Sequence, residues 1–451
     1  MFNIEEIRSQ FPITQKEFKV YGSDEFKKLI YFDHGASTHP PLRVLNKYID
    51  FLKNYYANVH RGHHFLSMIS SELFDHVYDT IYRYVKADSE DNAVILTSNT
   101  TYALDIAASV MSGIEGITLV SMMEHHSNDL PHRKRSEVQH FGLNPDGTIN
   151  MADLEYKLHK YKVKLVAVTG ASNVTGYMPD IHGIARLAHQ NGAKILVDAA
   201  QLLAHKAIDV KPNDDIEHID FLAGAGHKAY APFGSAFLIG PRKILDEAEP
   251  YIPGGGTVVY VTTDDVYFAK SPDRHQGGTP NIAGAIALAE SLKFLDEVGL
   301  DNIRQHEMEL TGYALKGLKR IEGINLLGDF KLKDRLGVIS FNVKDLSNNL
   351  VSSVLNYESA IATRNGCFCA HPYLHFLLGL TDTTELRAKL VLGEDIDLPG
   401  AVRVTIGIFN TKEEIDILLE ELSRIAENRW SANYDALISG FSCNEVVLNP
   451  N

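Results

Sequence analysis

VKLVAVTGASNVTGYMPDIHGIARLAHQNGAKILVD, residues 163–198, sets two short apolar runs on either side of one helical pattern. Val163–Thr169 is apolar and rich in β-branched residues, the mark of a buried strand. A polar, glycine-containing loop follows, and Ile181–Gln190 then places apolar residues at helical spacing. Asn191-Gly192 stops that helix, and Ala193–Val197 returns to a buried strand. Strand, helix and strand of these lengths make a βαβ unit, and hence a parallel sheet in an α/β protein. Working outward, Phe221–Ala223 and Ala236–Gly240 read as further strands, and Asn92–Thr97 as a strand running into a helix over Asn99–Met111. After a long helical pattern over Asn281–Glu297 the character changes. Gly337–Val343 and Ala401–Ile406 read as strands, and Thr411–Ala426 as an amphipathic helix capped by Thr411, with Glu414 at the capping-box position. The expected organisation is an N-terminal arm over residues 1–30 packing on the smaller domain, a large domain over 31–295, and a small C-terminal domain over 296–451.

The chain has 451 residues, which suits one large domain plus a smaller one. Its formal net charge of −15 opposes binding to nucleic-acid phosphates or anionic membranes and favours a small-molecule substrate or a protein partner. Three cysteines, Cys367, Cys369 and Cys443, are too few for a disulfide framework and suit a reducing compartment. The opening MFNIEEIRSQF has no apolar signal core, and no run is long enough to span a membrane. The expected location is the cytoplasm.

The strongest local feature is GAGHKAYAPFGSAFLIG, residues 224–240, in which Lys228 precedes a Pro/Gly turn and a strand. Alone, Lys228 reads as a surface charge. Asp198 in ILVDAAQ changes that reading, because it ends a buried strand, and only one further strand separates it from Lys228. Both can therefore reach the same end of the sheet, where open α/β sheets bind ligands. A buried Asp and a Lys at one site are what pyridoxal 5′-phosphate (PLP) requires, the first for the ring nitrogen and the second for a Schiff base. Alone, Asp198 reads better as a helix cap or an ion-pair partner. Thr97-Ser98-Asn99-Thr100-Thr101 supplies hydroxyls at a helix N-terminus, which suits a phosphate, although plain capping explains it equally.

A set of segments then points to a family. YFDHGAST (31–38), NVHRGHHFLS (58–67), TSNTTYAL (97–104), MEHHSND (123–129), SNVTGYMPDI (172–181), VDAAQ (197–201), GAGHKAYAPFG (224–234), GGGT (254–257), GGTPN (277–281), TRNGCFCAHP (363–372) and VRVTIGIFNTKEE (402–414) occur in family order. The chain resembles the class V aminotransferases, and among them the group II cysteine desulfurases and selenocysteine lyases. The resemblance implies a fold type I PLP-dependent transferase, with a mostly parallel seven-stranded sheet in the large domain and an α+β small domain. It implies that Lys228 binds the cofactor covalently, Asp198 holds the ring nitrogen, Gln201 bonds the ring oxygen, and His125 stacks on the ring and passes protons. Thr100, Thr101 and His227 would hold the phosphate, with Thr279 reaching across from a second subunit of a homodimer. Asn173 would lie near the ring oxygen and the substrate carboxylate, and Arg403 would clamp that carboxylate. Cys369 would be the sulfur-accepting nucleophile and Arg364 would stand near the pocket entrance. His60 and Arg61 are further substrate-binding candidates. No metal is implied. Each has an ordinary reading alone: a core histidine for His125, turn residues for His60, Arg61 and Thr279, a surface ion pair for Arg364, a small inert hydrophobe for Cys369.

The sequence also departs from that pattern. Group II members usually show Arg-x-Gly-His-His-Cys-Ala where this chain has Arg364-Asn365-Gly366-Cys367-Phe368-Cys369-Ala370, so Cys367 is a second candidate nucleophile and two histidines are gone. The Cys-Phe-Cys pattern also occurs in molybdenum-cofactor sulfurases. Ala225 replaces a phosphate-binding serine, and Tyr102 a glutamate. Between Cys369 and Arg403 lie 33 residues, more than is usual, and residues 371–400 read as an insertion that could be a lid, a partner surface or a solvated excursion. The expected activity is release of sulfur from L-cysteine or selenocysteine, leaving alanine and a persulfide on Cys369 that a sulfur-acceptor protein could take. Two alternatives stand beside it: an aminotransferase, epimerase or lyase acting on another amino acid, and a weakly catalytic PLP-binding sulfur-carrier partner.

Overall fold

The computed structural model describes residues 3–21, 26–328, 331–380, 382–394, 396, 398–437 and 440–443. Residues 444–451 of the expected small domain, and the side chain of Cys443, lie outside the described residues. The main sheet has seven strands, in the order Asn92–Thr97, Ala236–Pro241, Phe221–Ala225, Lys194–Asp198, Val163–Thr169, Ile117–Ser121 and Val138–Phe141. The last five pair in parallel, and Ala236–Pro241 runs antiparallel to both its neighbours. Val163–Thr169 and Phe221–Ala225 are buried along their whole length, as central parallel strands covered on both faces must be. The helix Ile181–Gln190 makes the expected crossover, its N-terminus capped by Asp180. Ile117–Ser121 and Val138–Phe141 are additional to the strands read from the sequence.

A second, antiparallel sheet has the order Ile324–Leu327, Val338–Val343, Ala401–Thr405 and Arg364–Gly366. Phe341, Val351, Val404, Leu418 and Ile425 share a core that joins this sheet to the helices Leu300–Leu318, Asn348–Ser359 and Lys412–Ala426. Thr411 and Glu414 form the capping box that their spacing indicates. The expected boundary at residue 295 falls within the helix Ile282–Val298; the chain turns at Gly299, whose φ of 87° a side chain disfavours.

The arm packs on both parts of the molecule. Phe11 meets Tyr230 and Phe294 on one side and Phe409 on the other, while Arg8 pairs with Glu414 at 2.7 Å. Residues 371–400 divide in two. The helix His371–Leu377 is part of the core, with Tyr373 buried and its hydroxyl donating to the Gly147 carbonyl at 3.1 Å. The helix Thr384–Leu392 has no buried residue, and its Val391 and Leu392 are exposed. Among the described residues no helix is long and apolar enough to cross a membrane.

The strands place chemistry at one edge. Thr97, Thr169, Asp198 and Ala225 end the Asn92–Thr97, Val163–Thr169, Lys194–Asp198 and Phe221–Ala225 strands respectively, and Thr169 and Asp198 are paired across the sheet. From Ala225 the chain turns sharply through Gly226 into Lys228. A Cβ on Gly226 would lie 2.6 Å from the Ser235 carbonyl oxygen, so the turn has room only for glycine. Gly226→Ala is expected to lower stability by about 1–3 kcal/mol, the usual cost of overpacking, read as a fall in the urea midpoint with unchanged slope.

Candidate active site

A cleft opens at this edge. It is lined by Thr100, Thr101, His125, Asn173, Asp198, Gln201, His227, Lys228, Arg364, Cys369 and Arg403, all site residues expected from the sequence. His60, Arg61 and Thr279 do not reach it within the same chain. They line a separate pocket with Gly255 and Gly256, and His60 bonds Asp75 through Nε2 at 2.8 Å. For His60 and Arg61 the reason is local: the turn at His60, with a φ of 67°, carries the chain into the helix Phe65–Val85.

Lys228 is half-buried in the wall of the cleft. Desolvation lowers its pKa to about 8, against the opposing pull of Asp198. Asp198 is 5% exposed and accepts from the Ala200 amide at 2.9 Å; burial raises its carboxyl above the usual range, with that hydrogen bond and Lys228 opposing. The two groups therefore temper each other's desolvation. His125 Nδ1 accepts from the Ser127 amide at 3.1 Å, which leaves the ring proton on Nε2. Burial, and then Lys228, depress its pKa to about 3, so this imidazole is neutral near pH 7. Gln201 is held by its amide donating to the Gly35 carbonyl at 2.8 Å.

At the other end of the cleft the helix Thr100–Val110 begins, capped by Asn99. Its free amides and positive dipole end suit an anion. The Thr101 hydroxyl lies 2.7 Å from that of Ser127, which also lines the cleft. Ser127 thus adds a second hydroxyl beside that of Thr101 at this end of the cleft. His227 Nδ1 and Arg403 Nε are buried without a hydrogen-bond partner in the protein.

Arg403 is wholly buried. Its Nη1 donates to the Asn173 carbonyl at 3.0 Å, Nη2 lies 3.4 Å from Asp33, and its guanidinium covers the Phe368 ring at 4.9 Å. Burial lowers its pKa to about 10, and Asp33 opposes. Arg364 reaches the same carboxylate at 2.6 Å, so Asp33 holds both arginines at the cleft. Cys369 is exposed and faces the cleft, whereas Cys367 is half-buried against the core and burial raises its thiol pKa. Of the two candidate nucleophiles, Cys369 is the one with access.

Three residues had no role assigned from sequence. Asp33 lies within YFDHGAST, and Ser127 and Glu124 lie within MEHHSND. Glu124 is fully buried beneath His125, where it accepts from Ser121, from Asn128 at 2.7 Å and from the Thr169 amide at 2.8 Å. Desolvation raises its pKa to about 8 against those bonds.

A lysine beside a buried acid at the C-terminal edge of a mostly parallel sheet, next to a helix N-terminus, is the architecture of a fold type I enzyme. The Aminotransferase class-V family model matches residues 30–418, and the chain belongs to that family. A relative from Halalkalibacterium halodurans described as "Probable cysteine desulfurase" is 33% identical over 94% of this chain and 98% of its own length. One from Staphylococcus aureus with the same description is 33% identical over 94% and 97%. Among solved structures, an apo cysteine desulfurase from Thermococcus onnurineus superposes with a TM-score of 0.82 at 29% identity, covering 94% of this chain and 98% of that one. An Escherichia coli cysteine desulfurase at 24% identity and a TM-score of 0.79 shares the fold, covering 95% and 99%.

Asp33→Ala leaves Arg403 buried without its carboxylate. The expected loss of stability is about 3 kcal/mol, typical of breaking a buried ion pair, measured by chemical denaturation; Arg364→Ala, at an exposed guanidinium, should cost about 1 kcal/mol or less.

Proposed function

We propose that this chain is a PLP-dependent carbon–sulfur lyase of the cysteine desulfurase type, taking sulfur from L-cysteine or selenium from selenocysteine and leaving alanine. The observation that carries the reading is the exposed thiol of Cys369 lining the same cleft as the amine of Lys228 and the guanidinium of Arg403. The relatives' descriptions agree with it.

The cleft residues fit PLP. Lys228 would hold it covalently, and Asp198 would face the ring nitrogen. Gln201 would bond the ring oxygen, with Asn173 beside it, and His125 would cover the ring. Thr100, Thr101, Ser127 and the His227 Nδ1 that lacks a partner would take the phosphate at the helix N-terminus. When bound, the cofactor supplies an electron sink for charge left on the substrate's α-carbon.

The chain's own residues do the rest. Arg403 binds the substrate carboxylate, with its Nε available and Arg364 at the entrance. The Lys228 amine, once free and neutral, takes the α-proton. His125, neutral with its proton on Nε2, can donate that proton to a departing group. The Cys369 thiolate attacks the substrate sulfur; the carbon–sulfur bond breaks, its electron pair stays with carbon, and Cys369 is left as a persulfide. Free thiols of this kind suit a reducing cytoplasm, and an acceptor protein would draw the sulfur from Cys369.

Thr279, with His60 and Arg61, would act from a second copy. We propose a homodimer in which Thr279 completes the neighbour's phosphate site. Sedimentation should give twice the chain mass of 50.1 kDa, and a monomer binding PLP fully would remove that role.

Incubated with L-cysteine, the protein should form alanine and gain one sulfur on Cys369 by mass spectrometry. Cys369→Ala should abolish sulfur transfer, while Cys367→Ala should retain it. A keto acid or another amino acid as product, with turnover kept in Cys369→Ala, would instead mark a lyase, epimerase or aminotransferase acting elsewhere. The proton-abstraction rate should climb with pH through about 8, as the Lys228 amine loses its proton, and level off above that; a flat profile from pH 7 to 9 would argue against Lys228 as the base.

A further inference from the structure

At the opposite end of the main sheet three side chains converge away from the cleft. His189 sits in the last turn of the helix Ile181–Gln190, while His218 and Asp220 immediately precede the strand Phe221–Ala225. Their neighbour Lys194 begins the strand that ends, four residues on, at Asp198, so the cluster lies roughly 13 Å of strand away from that acid. The Asp220 side chain is fully buried, and those of His189 and His218 are 11% and 9% exposed.

Hydrogen bonds fix the tautomers of both rings. His189 Nδ1 lies 2.7 Å from the Ile216 carbonyl oxygen, and His218 Nδ1 lies 2.6 Å from that of Asp215. A carbonyl oxygen only accepts, so each Nδ1 carries a proton, and in the neutral ring each Nε2 presents a lone pair. Both lone pairs face one carboxylate: His189 Nε2 is 2.7 Å from Asp220 Oδ2, and His218 Nε2 is 3.1 Å from Oδ1. Acceptors facing acceptors need positive charge between them. Two ring protons would provide it, but they would leave two cationic rings stacked 4.2 Å apart at 16°, with the Lys194 ammonium also 2.8 Å from Asp220 Oδ1. One divalent cation carries the same charge as those two protons and removes the repulsion between the rings.

We propose that His189, His218 and Asp220 bind one divalent transition-metal ion, of which zinc suits the donor set best, and that it clasps the helix Ile181–Gln190 to the strand leading to Lys228. The three donor groups offer ligand atoms within 4.8 Å of one another. A tetrahedral zinc with bonds near 2.0 Å separates its ligands by about 3.3 Å, so seating the ion opens the shortest contact by about half an ångström and leaves the fourth position to water. Imidazoles whose Nδ1 protons are held by backbone carbonyls are oriented as metal-binding histidines are. Lys194 competes with the ion for Asp220.

The test uses the full chain carrying Cys367→Ala and Cys369→Ala, so that the thiols of that loop bind no metal, after treatment with a chelator. Titration with zinc chloride by calorimetry should show one equivalent bound, and Co²⁺ should give the visible absorption of a tetrahedral centre. His189→Gln with His218→Gln should abolish both signals. Lys194→Met, which keeps every proposed ligand, should tighten zinc binding severalfold. No uptake by the parent chain, equal uptake after both histidines are replaced, or weaker or unchanged binding in Lys194→Met overturns the site.

Discussion

The partial removal of the Lys228 amine from water constrains everything around it. An ammonium there has lost part of its hydration, and the protein compensates by burying Asp198 at the end of a neighbouring strand. Neither group is stable there without a rigid frame, and the frame is the sheet edge. The chain after Lys228 is fastened at several points. Thr38 donates its amide to the His227 carbonyl at 2.8 Å, and its hydroxyl oxygen accepts from the Tyr230 amide at 2.7 Å. The Tyr230 hydroxyl accepts from the Ile408 amide at 2.9 Å. Tyr230 itself has a φ of 61°, a conformation costly for a residue other than glycine and held by these contacts. A movable Lys228 would lose both its partner acid and its depressed pKa.

The same frame joins the two sheets. Arg403 comes from the central strand Ala401–Thr405 of the smaller sheet, Arg364 from its edge strand, and Asp33 from the segment following the arm. The three meet at a cleft whose floor belongs to the larger sheet. A buried arginine held by one carboxylate and one carbonyl keeps its Nε free. That arrangement suits a second, transient carboxylate, because the cost of burying the charge is already met within the protein.

What could be read from sequence follows from how local each signal is. Val163–Thr169 and Lys194–Asp198 were legible because strands buried on both faces are continuous apolar runs. Val138–Phe141 was not, because VQHF at a sheet edge is only partly buried and carries two polar residues. Within residues 371–400, read as an insertion, Tyr373 bonds a carbonyl 226 positions away, a contact that no local pattern signals. The cleft residues were legible through motifs whose order matches a family. Asp33 and Ser127 were not, because they act through partners distant in sequence: Asp33 lies 331 positions from Arg364, and Ser127 lies 26 from Thr101. Composition and spacing carry no trace of such pairs.

The cysteine loop shows how a departure from the family pattern is absorbed. Phe368 and Cys369 both adopt left-handed backbone, with φ of 55° and 53°, at a cost of roughly 1–3 kcal/mol each. The surrounding structure holds them there. The Asn173 amide donates to the Phe368 carbonyl at 2.6 Å, the His126 amide donates to the Cys369 carbonyl at 2.7 Å, and the Phe368 ring lies under Arg403. The residue in place of the second missing histidine is thus a wedge that fixes the loop. Imidazoles have not left the neighbourhood either. The rings of His126 and His371 stack at 4.7 Å, His126 Nε2 lies 3.1 Å from His371 Nδ1, and His371 is two residues from Cys369. Groups able to move a proton near the thiol therefore come from the loop after Glu124 and from the start of the helix His371–Leu377, and the Cys-Phe-Cys sequence does not by itself deprive Cys369 of basic neighbours.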